Sequence, residues 1–290
     1  MTAPLVTIVI PTFNRSVMLR RCIESALAQT QACEVIVVDH GSSDDTPAVA
    51  ASFGDRIRYL RREEDRGVHF CWLDGILAAK AEFIHLNFDD DFMRPQFVEK
   101  CMVLMGPDVA FTMSVAEVRD EVTGKTLNHL FSGIGPTGVH SVRRFMRHQI
   151  SGLVSPCALI IRKKDVLDQL YVGGVPFARH EYRGVGPDWL MSAMASLNYP
   201  KFGYVAEPLV IFSSHEGSIT IDAQKDAARH RALRRAYQQS RNYYAMAFLV
   251  RRLRLDLLAY VFLKVLQLGA RILGGLRRIF YPKPTFKSND

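Results

Sequence analysis

Three consecutive carboxylates, Asp89-Asp90-Asp91, are the residues of this chain whose types and spacing point most directly to chemistry. Adjacent like charges repel one another, so a folded protein keeps such a cluster in open solvent or around a cation that neutralises it. Carboxylate oxygens are ligands that Mg²⁺ and Mn²⁺ prefer. The triplet therefore predicts a divalent metal that binds a phosphate, with an acidic surface turn as the alternative.

The triplet ends an apolar run, residues 83–88, and two earlier apolar segments also end in polar, turn-forming residues. Residues 5–10 and 34–38 are rich in β-branched side chains without polar alternation, which indicates strands buried on both faces of a parallel sheet. A helical stretch follows each strand, so the chain opens as a Rossmann-like alternation of strands and helices. Ligands of such sheets bind outside the carboxyl ends of the strands. The first strand is not followed by G-x-G-x-x-G, which argues against a dinucleotide cofactor.

The segments IVIPTFNR, VIVVDHGSSDDT, EDRGVHFCWLDGI and HLNFDDD, in this order and spacing, resemble the nucleotide-sugar-binding half of family 2 glycosyltransferases of the GT-A fold. The resemblance implies an α/β fold with a mixed, mainly parallel sheet flanked by helices. It also implies a nucleotide-sugar donor, a divalent metal and inversion at the anomeric carbon. We expect a GT-A catalytic domain over residues 1–225, in which 1–110 bind the donor and 111–225 face the acceptor.

The resemblance also implies roles for residues at the strand ends. Pro11, Thr12 and Arg15 correspond to the edge of the first strand that meets the base and the phosphates. Asp39 corresponds to the group that accepts a hydrogen bond from the imide N–H of uracil or thymine, and guanine offers a similar donor. An Asx turn before Gly41 is the alternative role for Asp39.

The resemblance leaves the preference for a nucleotide base open, because His40 stands where the family usually has an acidic or small residue. Arg66 corresponds to a loop near the base and the diphosphate, with a solvated charge at a helix start as the alternative. Within the triplet, the resemblance assigns Asp89 to the ribose side and Asp91 to the metal, with Asp90 between them. A bound cation would stabilise the negative charge that develops on the leaving diphosphate.

A transferase also needs a base for the acceptor hydroxyl, and the resemblance places it at Asp188 in the segment Gly186-Pro187-Asp188-Trp189. A carboxylate near a helix start can take a proton as the hydroxyl attacks, although an ordinary helix-start charge is the alternative. Trp189 is expected to line the sugar pocket. His215, in a segment similar to the family's H-x-x-S, is a second metal ligand, a diphosphate contact or simply a hydrogen-bonded side chain.

The positive charge of this chain is concentrated in its last part. Residues 229–290 hold 14 Lys and Arg against 2 Asp and Glu, a net charge of +12, so residues 1–228 carry 23 against 27, a net of −4. From 253 to 280 the less apolar positions recur at helical spacing, which predicts an amphipathic helix in a basic tail over 226–290. We expect residues 250–280 to lie in a membrane interface, with arginines on lipid phosphates. Packing on the catalytic domain or on a second subunit is the alternative.

Other features narrow the class of protein. A transmembrane span is disfavoured, because Lys264 and Arg271 would each cost about 2.5–3.5 kcal/mol near the bilayer centre. The five cysteines form no C-x-x-C pair, which is typical of reduced core residues, and an N-terminal secretion signal is not expected. The basic tail lacks interleaved stacking aromatics, so no nucleic-acid partner is expected. The expected location is the cytoplasmic face of the inner membrane, and the oligomeric state stays open.

The function expected from these features is transfer of a sugar from a nucleoside-diphosphate sugar, with UDP favoured, to a glycan or polyprenyl-linked acceptor in surface polysaccharide assembly. Two alternatives remain at this point. A sugar-nucleotide nucleotidyltransferase would also use a metal and this sheet, but it typically has a glycine-rich loop after the first strand, which Pro11-Thr12-Phe13-Asn14-Arg15 is not. A non-catalytic, membrane-bound module that keeps the nucleotide pocket is the other.

Overall fold

Ten strands form one mixed sheet in the part of the chain that the computed structural model describes, residues 4–149, 155–172, 174–176, 178 and 182–280. Their order is β3-β2-β1-β4-β9-β6-β10-β5, with β7 beside β6 and β8 beside β10. The strands are β1 (Val6–Thr12), β2 (Glu34–Asp39), β3 (Arg58–Arg61), β4 (Phe83–Leu86), β5 (Phe92–Met93), β6 (Val109–Asp120), β7 (Thr126–Leu130), β8 (Gly138–Ser141), β9 (Leu159–Arg162) and β10 (Lys201–Ser214).

Within residues 1–244 helices flank this sheet, and the alternation of strands and helices predicted for the first half is present. The helices are α1 (Ser16–Leu27), α2 (Thr46–Ala51), α3 (Val68–Ala78), α4 (Phe97–Val103), α5 (Val142–Gln149), α6 (Lys163–Gln169), α7 (Pro187–Ala195), α8 (Ile219–Gln224), α9 (Ala227–Arg252) and α10 (Leu255–Phe280). Two short 3₁₀ turns lie at Gly54–Arg56 and Pro156–Ala158.

The strand directions bring the carboxyl ends of six strands to one edge of the sheet. Strands β1 to β4 pair in parallel, in the order β3-β2-β1-β4. Strand β9 is antiparallel to both β4 and β6, so β6 runs in the direction of β4, and β10 pairs in parallel with β6. The carboxyl ends of β1, β2, β3, β4, β6 and β10 therefore lie at the same edge. The predicted mixed, mainly parallel sheet is confirmed.

The core explains why helix α3 has a fixed position on this sheet. All seven residues of β1 are buried, as its unbroken apolar sequence predicts. Gly75 of α3 lies against β1 and β2, where an added Cβ would overlap Val9 Cγ1 and approach Val38 Cγ2 to 3.0 Å. Glycine therefore permits the close approach of α3, and the first turn of this helix lies beside the ends of the strands.

The chain divides into two units, Met1–Tyr244 and Ala245–Asp290. The first unit continues past residue 225, where the expected catalytic domain ends, because α9 contributes buried residues up to Tyr244, among them Leu233, Ala236 and Ser240.

The second unit contains the end of α9 and the predicted tail helix, which is present as α10. The large apolar side chains of α10 from Leu255 to Leu268 are exposed, from 40% at Leu255 to 63% at Phe262. Among the helices of the described residues, none has the length and apolarity needed to cross a bilayer.

Candidate active site

The acidic triplet lies directly after β4, at the edge where the parallel strands end. Asp89 and Asp91 are buried, with 6% and 9% of their surface exposed. The Thr12 hydroxyl, at the end of β1, donates a hydrogen bond of 2.7 Å to Asp89 Oδ2. The neighbouring ends of β1 and β4 are thus joined by a side-chain contact, and the triplet is not the acidic surface turn considered as its alternative.

Arg15, just beyond β1, is the cation that pairs directly with two of the carboxylates. Its guanidinium lies 3.2 Å from Asp89 Oδ1 and 2.5 Å from Asp90 Oδ2. Thr12 and Arg15, both predicted at this edge, are therefore brought to the triplet. Pro11 lies within buried β1 beside Val38 of β2.

The three carboxylates differ in their electrostatic surroundings. Burial, reinforced by the charge of Asp90, raises the pKa of Asp89 to about 6, although Arg15 and Thr12 oppose this shift. Burial also raises the pKa of Asp91 well above its usual value. Burial alone would raise the pKa of Asp90, but hydrogen bonding to His215 and the charge of Arg15 outweigh it, so that pKa is lowered. The charges of the triplet are only partly compensated by these two neighbours.

His215 follows β10 and reaches the same cluster. Its Nε2 lies 3.1 Å from Asp90 Oδ2, and its Nδ1 lies 2.7 Å from the backbone oxygen of Glu216. Both ring nitrogens thus face oxygen acceptors, an arrangement that suits the doubly protonated imidazolium. The hydrogen bond to Asp90 accordingly raises the pKa of His215. Of the roles predicted for this residue, this geometry favours a cationic contact over a metal ligand.

The residues at this edge can contribute few ligands to a metal. Among the described residues, no group of three or more His, Cys, Asp or Glu side chains is arranged to hold one. Asp91 Oδ1 accepts a hydrogen bond of 3.1 Å from the backbone N–H of Ser213. Mg²⁺ in phosphate-binding sites is commonly held by one or two carboxylates, with substrate oxygens and water completing its shell. The donor set fits that kind of site and does not form a closed protein cage.

The residues predicted to meet the base lie at the end of β2. Asp39 is fully buried, and its Oδ1 accepts hydrogen bonds from the backbone N–H of Ser42 at 2.8 Å and from the Ser42 hydroxyl at 2.6 Å. Its Oδ2 accepts one from the Tyr59 hydroxyl at 2.5 Å. The turn considered as an alternative role for Asp39 is thus formed by Ser42. An imide N–H would have to replace one of these internal bonds.

His40, next to Asp39, has a different arrangement of partners. Its Nδ1 lies 2.8 Å from Asp65 Oδ1, and a carboxylate oxygen requires that this nitrogen carry the proton. Its Nε2 is buried and has no hydrogen-bond partner among the described residues. Arg66, which follows Asp65, is exposed on the loop before α3. The structure does not bring Arg66 into contact with the triplet.

Asp188 is at the second position of α7, as its sequence context predicted. The helix begins at Pro187, and the backbone N–H of Gly186 donates a hydrogen bond of 2.8 Å to Asp188 Oδ1. The carboxylate is half-buried. Burial raises its pKa, while this hydrogen bond and the neighbouring His69 act in the opposite direction. A raised pKa brings a carboxylate closer to what a general base needs.

Aromatic rings connect the triplet with the segment before Asp188. Phe88, which precedes the triplet, stacks on Trp72 of α3 at 5.7 Å, and Trp72 meets His69 edge-on at 5.0 Å. Trp189 takes no part in this row. It is 1% exposed and packs edge-on against Tyr244 at 5.5 Å, so the expectation that it lines a sugar pocket is wrong. His69 and Trp72 were not predicted as site residues, because the contacts of His69 with Gly184 and of Trp72 with Phe88 join separate segments of the chain.

The model of glycosyl transferase family 2 matches residues 7–168 of this chain. The match covers more than half of the chain, which therefore belongs to glycosyl transferase family 2. This result confirms the family and the enzyme class expected from the strand-end motifs, and it favours them over the nucleotidyltransferase alternative.

Several curated proteins resemble parts of the chain. An uncharacterized glycosyltransferase of Rickettsia prowazekii, RP339, is 40% identical over 98 residues, which are 33% of this chain and 30% of that protein. The putative glycosyltransferase EpsH of Bacillus subtilis is 30% identical over 132 residues, 44% of this chain and 38% of EpsH. The succinoglycan biosynthesis protein ExoO of Rhizobium meliloti is 40% identical over 94 residues, 32% of this chain and 27% of ExoO. The similarity spans about a third of the length of these relatives.

Solved structures show the same fold. The crystal structure of S. aureus TarS 1-349 in complex with UDP-GlcNAc superposes with a TM-score of 0.60 at 16% identity, over 85% of this chain and 72% of that chain. The complex of the same protein with UDP gives a TM-score of 0.57 at 15% identity, over 79% of this chain and 69% of that chain. These similarities confirm the predicted fold class.

Proposed function

We propose that this chain transfers a sugar, with inversion, from a nucleoside-diphosphate sugar to a hydroxyl of a glycan or lipid-linked acceptor. The observation that carries the proposal is the cluster of Thr12, Arg15, Asp89, Asp90 and His215 at the carboxyl ends of three strands. Such an edge is where parallel sheets bind nucleotides, and the cluster combines carboxylates with cations that suit a diphosphate. Membership of glycosyl transferase family 2 supports the same reaction.

A UDP-sugar is the favoured donor, and His40 supplies a physical reason. Nδ1 of His40 donates a hydrogen bond to Asp65 Oδ1, and in an imidazole that carries its proton on Nδ1 the other nitrogen, Nε2, is a hydrogen-bond acceptor. A buried acceptor without a partner is costly, and the imide N–H of uracil would satisfy it. Asp39, whose oxygens already accept hydrogen bonds from Ser42 and Tyr59, would then stabilise the turn next to the base. The UDP and UDP-GlcNAc complexes of TarS are consistent with this donor.

The leaving diphosphate needs positive charge, and two kinds of group can supply it. When bound, a divalent cation stabilises the charge that develops on the phosphate oxygens. Asp91 would hold it, and His215 would join only after losing the proton on Nε2. Arg15 and protonated His215 lie at the same edge and can bind phosphate oxygens themselves. We therefore expect Asp91 to govern the response to metal and Arg15 to govern affinity for the diphosphate.

Asp188 is the proposed base. Its carboxylate is half-buried, and its orientation is fixed by the N–H of Gly186 through one oxygen. We expect this carboxylate to accept the proton of the acceptor hydroxyl as that hydroxyl attacks. Burial raises the pKa of this carboxylate, which makes it a stronger base than an exposed aspartate.

The acceptor and its location are proposed from the tail and from the relatives. Exposed apolar side chains on α10 and the net charge of +12 over residues 229–290 suit an anionic lipid surface. ExoO is named for succinoglycan biosynthesis, which supports a role in polysaccharide assembly. We propose peripheral contact at the cytoplasmic face of the membrane through residues 250–280, and a membrane-linked glycan or polyprenyl-linked acceptor.

Calorimetric titration with UDP, GDP and dTDP, each with Mn²⁺ and with EDTA, tests the donor site. We expect UDP to bind in the presence of Mn²⁺ and to bind at least about tenfold more weakly in EDTA. Asp91→Asn should abolish the metal effect, whereas Asp168→Asn, at an exposed position of α6, should leave it unchanged. Absence of binding by any of the three nucleotides would refute the proposed donor site.

Co-sedimentation with vesicles tests the membrane contact in the full chain. Leu258 and Phe262 lie one turn apart on α10 and are 62% and 63% exposed. Replacing both with Glu should abolish co-sedimentation with vesicles rich in anionic lipid. The matched control is Val103→Glu, at a position that is 79% exposed at the end of α4. Equal sedimentation of the α10 variant and this control would contradict the proposed contact.

A further inference from the structure

The short segment before Asp188 is held from two sides. Gly184 has a φ of +74°, and an added Cβ there would overlap Val68 Cγ1 and lie 3.2 Å from His69 Nε2, both on α3. Gly186 has a φ of +113°, and an added Cβ there would overlap the Ser240 hydroxyl on α9. Both glycines adopt backbone conformations that side chains disfavour. The segment is thus confined between α3 and α9.

His69 provides the polar contact on the α3 side. Its Nε2 lies 3.0 Å from the carbonyl oxygen of Gly184. A carbonyl only accepts hydrogen bonds, so this nitrogen carries a proton and donates it. The ring is also fixed by its edge-on contact with Trp72. The donor is therefore held in place before the segment meets it.

This contact reaches the proposed base through two residues of backbone. The carbonyl of Gly184 is bound by His69, and the N–H of Gly186 donates to Asp188 Oδ1 at 2.8 Å. A displacement of Gly184 would therefore move the donor that orients the carboxylate. His69 itself is also close enough to act electrostatically on Asp188.

We propose that His69 is a positioning residue for Asp188, acting through the Gly184 carbonyl and the Gly186 N–H. This inference rests on the proposed function, because it takes Asp188 as the base of the transfer. Nothing in it requires His69 to touch the donor or the acceptor. Its removal should therefore lower the rate of transfer without weakening donor binding.

Two substitutions separate the hydrogen bond from the bulk of the side chain. His69→Phe keeps a ring beside Trp72 but removes the donor to Gly184. His69→Gln places an amide N–H near the position of Nε2, so it restores the donor without an imidazole. We expect His69→Phe to lower kcat by about 10–100-fold with the KM for the UDP-sugar unchanged within about twofold, because misplacement of a reacting group has effects of this size. His69→Gln should recover most of that rate.

Hydrogen exchange of residues 182–188 supplies a readout that needs no turnover. We expect the Gly186 amide to exchange about tenfold faster in His69→Phe than in the wild-type chain, and the rate to return in His69→Gln. Unchanged exchange and unchanged kcat in His69→Phe would overturn the proposal, as would a rise in donor KM that accounts for the whole loss. If the wild-type chain neither binds nor cleaves a nucleotide sugar, the proposed function fails, and exchange alone decides whether His69 holds this segment.

Discussion

Gly186 offers a direct way to disturb the orientation of Asp188. Replacing it with Ala would place a Cβ inside the contact distance of the Ser240 hydroxyl on α9, in a backbone conformation with a φ of +113°. The same change would affect the N–H that donates to Asp188. We therefore expect Gly186→Ala to reduce both the free energy of unfolding and the rate of sugar transfer.

The expected loss in free energy of unfolding has two parts, which a second substitution can separate. The backbone conformation should cost about 1–3 kcal/mol for a residue with a Cβ. The overlap with Ser240 should cause a further loss of about 1–3 kcal/mol, as overpacking generally does. In Gly186→Ala combined with Ser240→Ala, the nearest remaining neighbours of the new Cβ are the Ala236 oxygen at 3.4 Å and the Cβ of residue 240 at 3.6 Å. Ser240→Ala should thus recover only the free energy that is lost to the overlap, and the cost of the backbone conformation should remain.

Urea unfolding of the two single variants and the double variant measures this coupling. Gly54→Ala is the matched control, because Gly54 has a φ of +55° and open space around it, so it tests backbone strain without overlap. We expect Gly186→Ala to cost more than Gly54→Ala, and Ser240→Ala to return about 1–3 kcal/mol in the double variant. Strict additivity of Gly186→Ala and Ser240→Ala would refute the close packing of this segment on α9. A wild-type transfer rate in Gly186→Ala would refute the role of Gly186 in orienting Asp188.

Three further predictions concern the sheet and the donor site. Burial lowers the pKa of His85 from 6.5 to about 4, so unfolding takes up a proton between these pH values. The free energy of unfolding should therefore fall as the pH drops from 6.5 towards 4, by up to about 1.4 kcal/mol per pH unit. Urea unfolding at pH 7 and pH 5 measures this change, and the same pH dependence in His85→Gln would contradict the prediction. Gly75→Ala should lower the free energy of unfolding by about 1–3 kcal/mol because the added Cβ overlaps Val9, and an unchanged thermal midpoint would show that α3 can move away. Arg15→Gln should weaken UDP binding by about tenfold or more in calorimetry, whereas Arg20→Gln, at an exposed position of α1, should not; equal affinities would exclude Arg15 from the diphosphate site.

The arrangement of the strand ends was predictable from the sequence because the information there is local. Each buried strand ends in polar residues, and parallel pairing must bring those ends to one edge. The juxtaposition of Thr12 and Arg15 with the triplet follows from that rule. The helix start at Pro187 was also readable from its sequence.

The surroundings of Asp188 and Trp189 were less predictable because their contacts join distant segments. His69 and Gly184 are separated by 115 positions, and no periodic pattern in the sequence indicates their hydrogen bond. Trp189 has an amphipathic side chain that suits a sugar pocket, but Tyr244 covers it. The extension of the first unit into α9 was missed for the same reason, since the basic composition of the last part conceals the buried face that ends at Tyr244.

The most direct test of the proposed mechanism compares binding with turnover in Asp188→Asn. The measurement is the release of UDP from the UDP-sugar that binds most tightly, together with the calorimetric affinity for UDP in the presence of Mn²⁺. Asp168→Asn on α6 serves as the control. We expect Asp188→Asn to lower kcat by about 10²–10⁴-fold, as loss of a general base does, with the affinity for UDP unchanged. Transfer at the wild-type rate in Asp188→Asn would contradict the assignment of this residue as the base.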